Sequence, residues 1–262
     1  MKRVLTVALV IGLSATIGGC ALFGSWWGPK RAAWRSEAER ACLTAGAVQP
    51  SADVRPMGEI DGPGTCGADR PFKVSAVGRR SKAPLNESTA LNCPMVAAVD
   101  DWFDRIVQPA AEADFGQPVV GIEHMGSYNC RPIAGHRQMS EHAYMNALDV
   151  SGFKLADGRT VRVKNGWRSG DAVEVAFLNT VGAAACEDFT TVLGPDAGAA
   201  HADHIHLDLA RHGQGRRVCK GGSEPVPEGG RLLSFFEGAE RTGSVPKGSD
   251  GEDEDDPAAL DR

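Results

Sequence analysis

His201-Ala202-Asp203-His204-Ile205-His206-Leu207-Asp208 decides how this chain is read. From His204 to Leu209 polar and apolar residues alternate, as in a strand with one buried face. Successive side chains of a strand point to opposite faces, so His204 and His206 project together, with Asp208 beyond them. A second dense stretch precedes it: Ser140-Glu141-His142-Ala143-Tyr144-Met145-Asn146-Ala147-Leu148-Asp149. Four of the seven histidines fall in these two stretches.

Zinc takes imidazole nitrogen and carboxylate oxygen, with three protein ligands and an open position in sites that do chemistry. One strand supplies at most two well-placed ligands. The earlier stretch offers more: if His142 ends a turn and Asp149 starts a strand, both reach one point. An isolated His-x-His is more often an ordinary surface or core feature, and a lone His and Asp with six residues between them say less still. Their joint occurrence, in this order, is the specific signal.

Outward from these stretches, 147–155 and 160–163 read as two strands joined by an Asp157-Gly158 hairpin signal. Residues 118–128 read as a strand leading into a Gly-Ser turn, and 189–193 as short and β-prone. The clearest helix is 94–115, with Pro94 in its first turn, an apolar stripe through Trp102 and Ile106, and Pro109 placed to kink or split it. Residues 171–181 read as a second helix and 32–45 as a short one; 51–82, rich in Gly, Pro and Arg, as loops and short strands. Strands and separate helices together imply an α+β fold, a small antiparallel sheet with flanking helices.

The ends carry other information. Lys2 and Arg3 precede a short apolar run ending in Ile17-Gly18-Gly19-Cys20. Crossing a bilayer takes ~20 apolar residues, so this run reads as a signal segment over 1–20. It resembles a bacterial lipobox, which implies lipidation of Cys20, a lipid anchor in the membrane and, with Ala21 following, the periplasmic face of the outer membrane. The alternatives are a signal peptide cut elsewhere or an uncleaved anchor. Removing Cys20 leaves six of seven cysteines without a CxxC pair, which reads as disulfides in an oxidising compartment. Residues 21–50 read as tether and short helix, 51–242 as the folded domain, and 243–262 as a disordered acidic tail holding much of the net charge of -6. No basic stripe with interleaved aromatics appears, so no nucleic-acid partner is expected.

The order Ser140-x-His142, Asp149, then Asp203-His204-Ile205-His206 resembles the LAS zinc DD-peptidases, the group of lysostaphin, the D-Ala-D-Ala metallopeptidases and the hedgehog fold. A closer resemblance is to the bacterial extensin-like C-terminal domain family. It is carried by 126–132 (Gly-Ser-Tyr-Asn-Cys-Arg-Pro), 140–143, 147–153, 155–158, 192–195 and 201–208. The resemblance implies a hedgehog- or DD-peptidase-like fold and a zinc ion held by His142, Asp149 and His206. It implies Asp203 as general base, His204 as the histidine that steadies the tetrahedral intermediate, His201 as a further active-site histidine, and Arg131 as a binder of a substrate carbonyl or carboxylate. The implied activity is a zinc peptidase of peptidoglycan stem or cross-link peptides; the alternatives are a non-catalytic wall-binding module and a structural envelope lipoprotein.

Two tensions remain at this level. In an ideal strand Asp203 faces away from His204 and His206, unless the strand begins after it. Met145 stands where the DD-peptidase pattern has glycine. Ser140 reads as a turn cap and Glu141 as a neighbouring charge. His124, His136 and His212 read as ordinary histidines, and Arg131 reads equally as a structural ion pair.

Overall fold

The computed structural model describes residues 30–222. The signal segment with Cys20, the tether to residue 29, the end of the 51–242 domain from residue 223 and the acidic tail lie outside the described residues. Among the described residues, 31–222 form one unit. No helix among the described residues is long and apolar enough to cross a membrane.

Helix α1 covers Ala33–Thr44. Strands β1 (Val54–Pro56), β2 (Ile60–Asp61), β3 (Gly67–Ala68), β4 (Phe72–Val77) and β5 (Ala83–Leu91) follow. Helix α2 (Cys93–Trp102) runs through a π-helical turn (Phe103–Val107) into α3 (Gln108–Phe115). The expected break at Pro109 is taken up here: proline has no N–H to give, and the wider turn absorbs the lost bond. Then come β6 (Val119–His124), β7 (Ala147–Leu155), β8 (Thr160–Arg162), α4 (Val163–Ser169), α5 (Ala172–Ala184), β9 (Thr191–Leu193), β10 (Ile205–Asp208) and β11 (Val218–Lys220).

The α+β class stands, but the sheet is neither small nor wholly antiparallel. Nine strands run in the order β1-β4-β5-β6-β7-β10-β9-β11, with β8 also on β7, and β2 and β3 form a separate pair. β5 pairs with β6, and β9 with β11, in parallel; the other pairs are antiparallel. The missed members explain the underestimate. β5 is polar through its solvent-facing middle (Asn-Glu-Ser-Thr), and β11 is three residues long, so neither carries a clear two-residue hydrophobic period.

One face of the sheet is covered by helices. Val99, Trp102, Phe103 and Ile106 from the α2 segment and Phe177, Leu178 and Val181 from α5 pack with Leu148, Val150, Val192, Ile205 and Leu207 of the sheet in one core. Trp102 packs against Phe153 and Phe189 with ring centroids 6.0 and 6.3 Å away, and its indole N–H donates to the carbonyl of Val181. On β7, β9 and β10 the residues between these apolar ones are Asp149, Thr191, His206 and Asp208, which therefore face the other way.

Three disulfides, Cys42–Cys93, Cys66–Cys130 and Cys186–Cys219, use all six cysteines beyond Cys20. The first ties α1 to the start of α2. α1 is tied to the site as well. Arg35 makes a bidentate pair with Glu141 (2.6 and 2.7 Å) and lies between the rings of Trp34 and Tyr144, with only 6% and 10% of the two charged side chains exposed. Removing one partner of a buried pair strands the other charge. Arg35→Ala should therefore cost about 3–5 kcal/mol of stability, read by equilibrium denaturation; a change near zero would mean that water reaches Glu141 freely.

Candidate metal centre

The turn before β7 places the first donor. Ser140 caps a 3₁₀ turn, Glu141–Tyr144, by accepting the backbone N–H of His142 on its hydroxyl oxygen. Met145 ends that turn in the left-handed conformation, φ 54°, fully buried. Glycine reaches that region without strain and methionine does not. His142 donates from Nδ1 to the carbonyl of Ser127 at 2.6 Å, leaving the Nε2 lone pair free.

The other two donors are a cross-strand pair. β7 and β10 run antiparallel with Asp149 directly opposite His206. His206 donates from Nε2 to Asp208 Oδ2 at 2.9 Å, so Nδ1 faces inward. His206 Nδ1 lies 2.9 Å from Asp149 Oδ1 and 3.2 Å from His142 Nε2, and His142 Nε2 lies 3.2 Å from Asp149 Oδ2. Tetrahedral zinc with bonds of ~2.0–2.1 Å holds its ligand atoms ~3.3 Å apart. The donor set, its spacing and the outward hydrogen bonds on both rings fit such an ion, and these three residues can hold a metal.

The charges agree with the geometry. Burial alone would raise the Asp149 carboxyl, yet His142 and His206 hold it well below the usual carboxylate range. Burial would lower the His206 imidazolium, but hydrogen bonds to Asp149 and Asp208 and their charges raise it. His201 is pushed down to about 4, first by burial and then by the neighbouring His206 and His204, so its ring is neutral at pH 7.

The remaining expected residues divide. β10 begins at Ile205, after Asp203, which releases the tension seen in an ideal strand. His204 donates from Nδ1 to Asp203 at 2.9 Å, and its Nε2 lies 3.6 Å from Asp149 Oδ1. The His201 ring sits 5.3 Å from that of His204 and 5.9 Å from that of His206. Arg131 is exposed, with its guanidinium on the carbonyl of Pro132 at 3.4 Å, on a segment whose backbone pairs with the turn of His142: Ser140 N–H donates to the carbonyl of Arg131, and Asn129 N–H to that of His142, each at 3.1 Å.

A family model described as Extensin-like protein C-terminus matches residues 40–220. The chain belongs to this family. No curated protein and no solved structure matches it significantly. The extensin-like match takes in all three donors together with His201, Asp203, His204 and Asp208, whereas Arg35 precedes it.

In this extensin-like domain several further residues support the site. His124 is a structural pin: Nδ1 accepts the N–H of Gly126, Nε2 donates to the carbonyl of Glu87, and the turn that presents Ser127 is held. Asn146 joins Glu141 to Asn92, the N-cap of α2. Asp208 was visible as the third polar member of His-x-His-x-Asp on one strand face, and only the register shows that it orients His206. Asp208→Asn should weaken metal binding about 10–100-fold, measured by competition with a chromogenic chelator, while His142→Ala should abolish stoichiometric uptake. Unchanged affinity in both would mean that the ion, if any, sits elsewhere.

Proposed function

We propose that this chain is a zinc-dependent peptidase of the cell envelope, hydrolysing peptidoglycan stem or cross-link peptides. One observation carries the proposal: three oriented donors converge, and a separate histidine–carboxylate pair, His204 with Asp203, stands beside them. A site that needed only to hold an ion for stability would have no use for that pair.

His142, Asp149 and His206 would hold the ion, and when bound it supplies Lewis acidity that lowers the pKa of water and polarises a carbonyl oxygen. The protein's own groups handle the proton. His204 has Nδ1 engaged with Asp203, so Nε2 is the nitrogen available to accept a proton from the attacking water and return it to the leaving amine. Asp203 keeps that tautomer and favours the imidazolium while it exists. Arg131, exposed on the segment paired with the His142 turn, would hold a substrate carbonyl or carboxylate through its planar fork.

The resemblance to the LAS zinc DD-peptidases and the hedgehog fold supplies the substrate class by analogy. The lipobox resemblance at Ile17-Gly18-Gly19-Cys20 supplies the location: the periplasmic face of the envelope, tethered through a lipid on Cys20 and, with Ala21 following, at the outer membrane.

Zinc-loaded protein incubated with cross-linked muropeptides should yield products that differ from the starting peptides by the addition of water, read by mass spectrometry. His204→Ala should keep its zinc and its fold and lose about 10²–10⁴-fold in rate. If zinc-loaded wild type cuts no muropeptide, the pocket serves as a wall-binding or structural metal site instead.

A further inference from the structure

The contacts behind His206 do not stop at Asp208. Across the β9–β10 ladder the residue opposite Asp208 is Thr191, and the two side chains are hydrogen-bonded. Thr191 Oγ1 in turn lies 2.8 Å from His212 Nε2. Thr191, Asp208 and His212 are all buried, at 4%, 6% and 6% exposure. Three polar side chains out of water in one line need a reason, since each loses its hydration.

The hydrogens along this line can be placed by counting. Asp208 accepts the backbone N–H of Ala210 on Oδ1 and the N–H of His206 on Oδ2. With N–H donors on both of its oxygens, Asp208 acts as an acceptor, so Thr191 gives its single hydroxyl hydrogen to Asp208. The Thr191 oxygen must then accept, and His212 carries its hydrogen on Nε2. The other tautomer would set the Thr191 lone pairs against the carboxylate. It would also place an N–H on His212 Nδ1, an atom that is buried with no partner.

We infer that His212 and Thr191 are positioning residues for the metal centre: His212 donates to Thr191, Thr191 donates to Asp208, and Asp208 thereby holds the hydrogen of His206 on Nε2 and turns Nδ1 toward the ion. The inference rests on the metal-holding reading of His142, Asp149 and His206. It gives a buried histidine, distant from the reacting atoms and outside both motif stretches, a defined influence on metal affinity.

Two measurements test it. Ring-nitrogen NMR on the metal-free wild type should find His212 in the Nε2–H tautomer; an Nδ1–H tautomer overturns the chain whatever the metal does. Zinc affinity, read by chelator competition with near-UV circular dichroism to check the fold, should fall about tenfold or more in Thr191→Val and return in Thr191→Ser. His212→Phe should weaken binding in the same direction, and His212→Gln, which keeps an N–H near the same place, should restore it. If Thr191→Val and His212→Phe bind zinc as tightly as wild type, the chain has no hold on His206 and the inference fails. A wild type that takes up no zinc overturns the metal reading beneath it, an outcome distinct from intact binding that ignores Thr191.

Discussion

The antiparallel register of β7 against β10 sets Asp149 opposite His206, and both the core and the site depend on it. Residues directly opposite in such a ladder hold their Cβ atoms ~4.5–5.5 Å apart, the separation a carboxylate and an imidazole need to meet or to share an ion. The same register sends Leu148, Val150, Ile205 and Leu207 into the helix-covered core. A slip of one residue would bury the carboxylate and the imidazole among those helices and turn the apolar residues outward. The burial that stabilises this part of the sheet therefore also aligns two of the three donors, and neither can be changed alone.

The third donor is placed by different means. His142 sits on a short 3₁₀ turn, an element with poor hydrogen-bond geometry and no core stripe of its own. It is held by polar contacts from every side. Arg35 reaches Glu141 from α1, Asn92 reaches Asn146 from the start of α2, and the Ser127 carbonyl takes the outer ring hydrogen. The Cys42–Cys93 disulfide joins the two helices that supply the first two of these contacts. Buried polar networks are stabilising only when each member is satisfied, and Glu141 is, accepting from both Arg35 and Asn146.

Much of this was legible in the residues. The helix at 94–115, the hairpin through Asp157-Gly158 and the strand after His204 follow from strong periodicity and turn chemistry, and each is found. The two histidines and the aspartate that meet were legible because they cluster in sequence and match a known order. What was not legible depends on pairing partners. β5 looks like a loop because its exposed middle is polar, and the mixed sheet follows from its parallel step onto β6. Arg35, Asn92, Thr191 and His212 lie 107, 50, 15 and 6 residues from the nearest of the three donors, with no local pattern to mark them. Their roles come from buried polar contacts, which no single-sequence period encodes.

His206 lies between two carboxylates, with Nδ1 2.9 Å from Asp149 Oδ1 and Nε2 2.9 Å from Asp208 Oδ2. Asp149 also faces His142 Nε2 at 3.2 Å, so a carboxylate and two imidazoles meet on one side of the sheet. The fold has stabilising elements besides this cluster: a core of strands and helices, and three disulfides. Structural zinc sites in small domains are the opposite case, where ion binding is itself the folding energy. On the function proposed above, three donors on a large fold, with a histidine–carboxylate pair beside them, serve what the ion does to a third party rather than what it does for the fold.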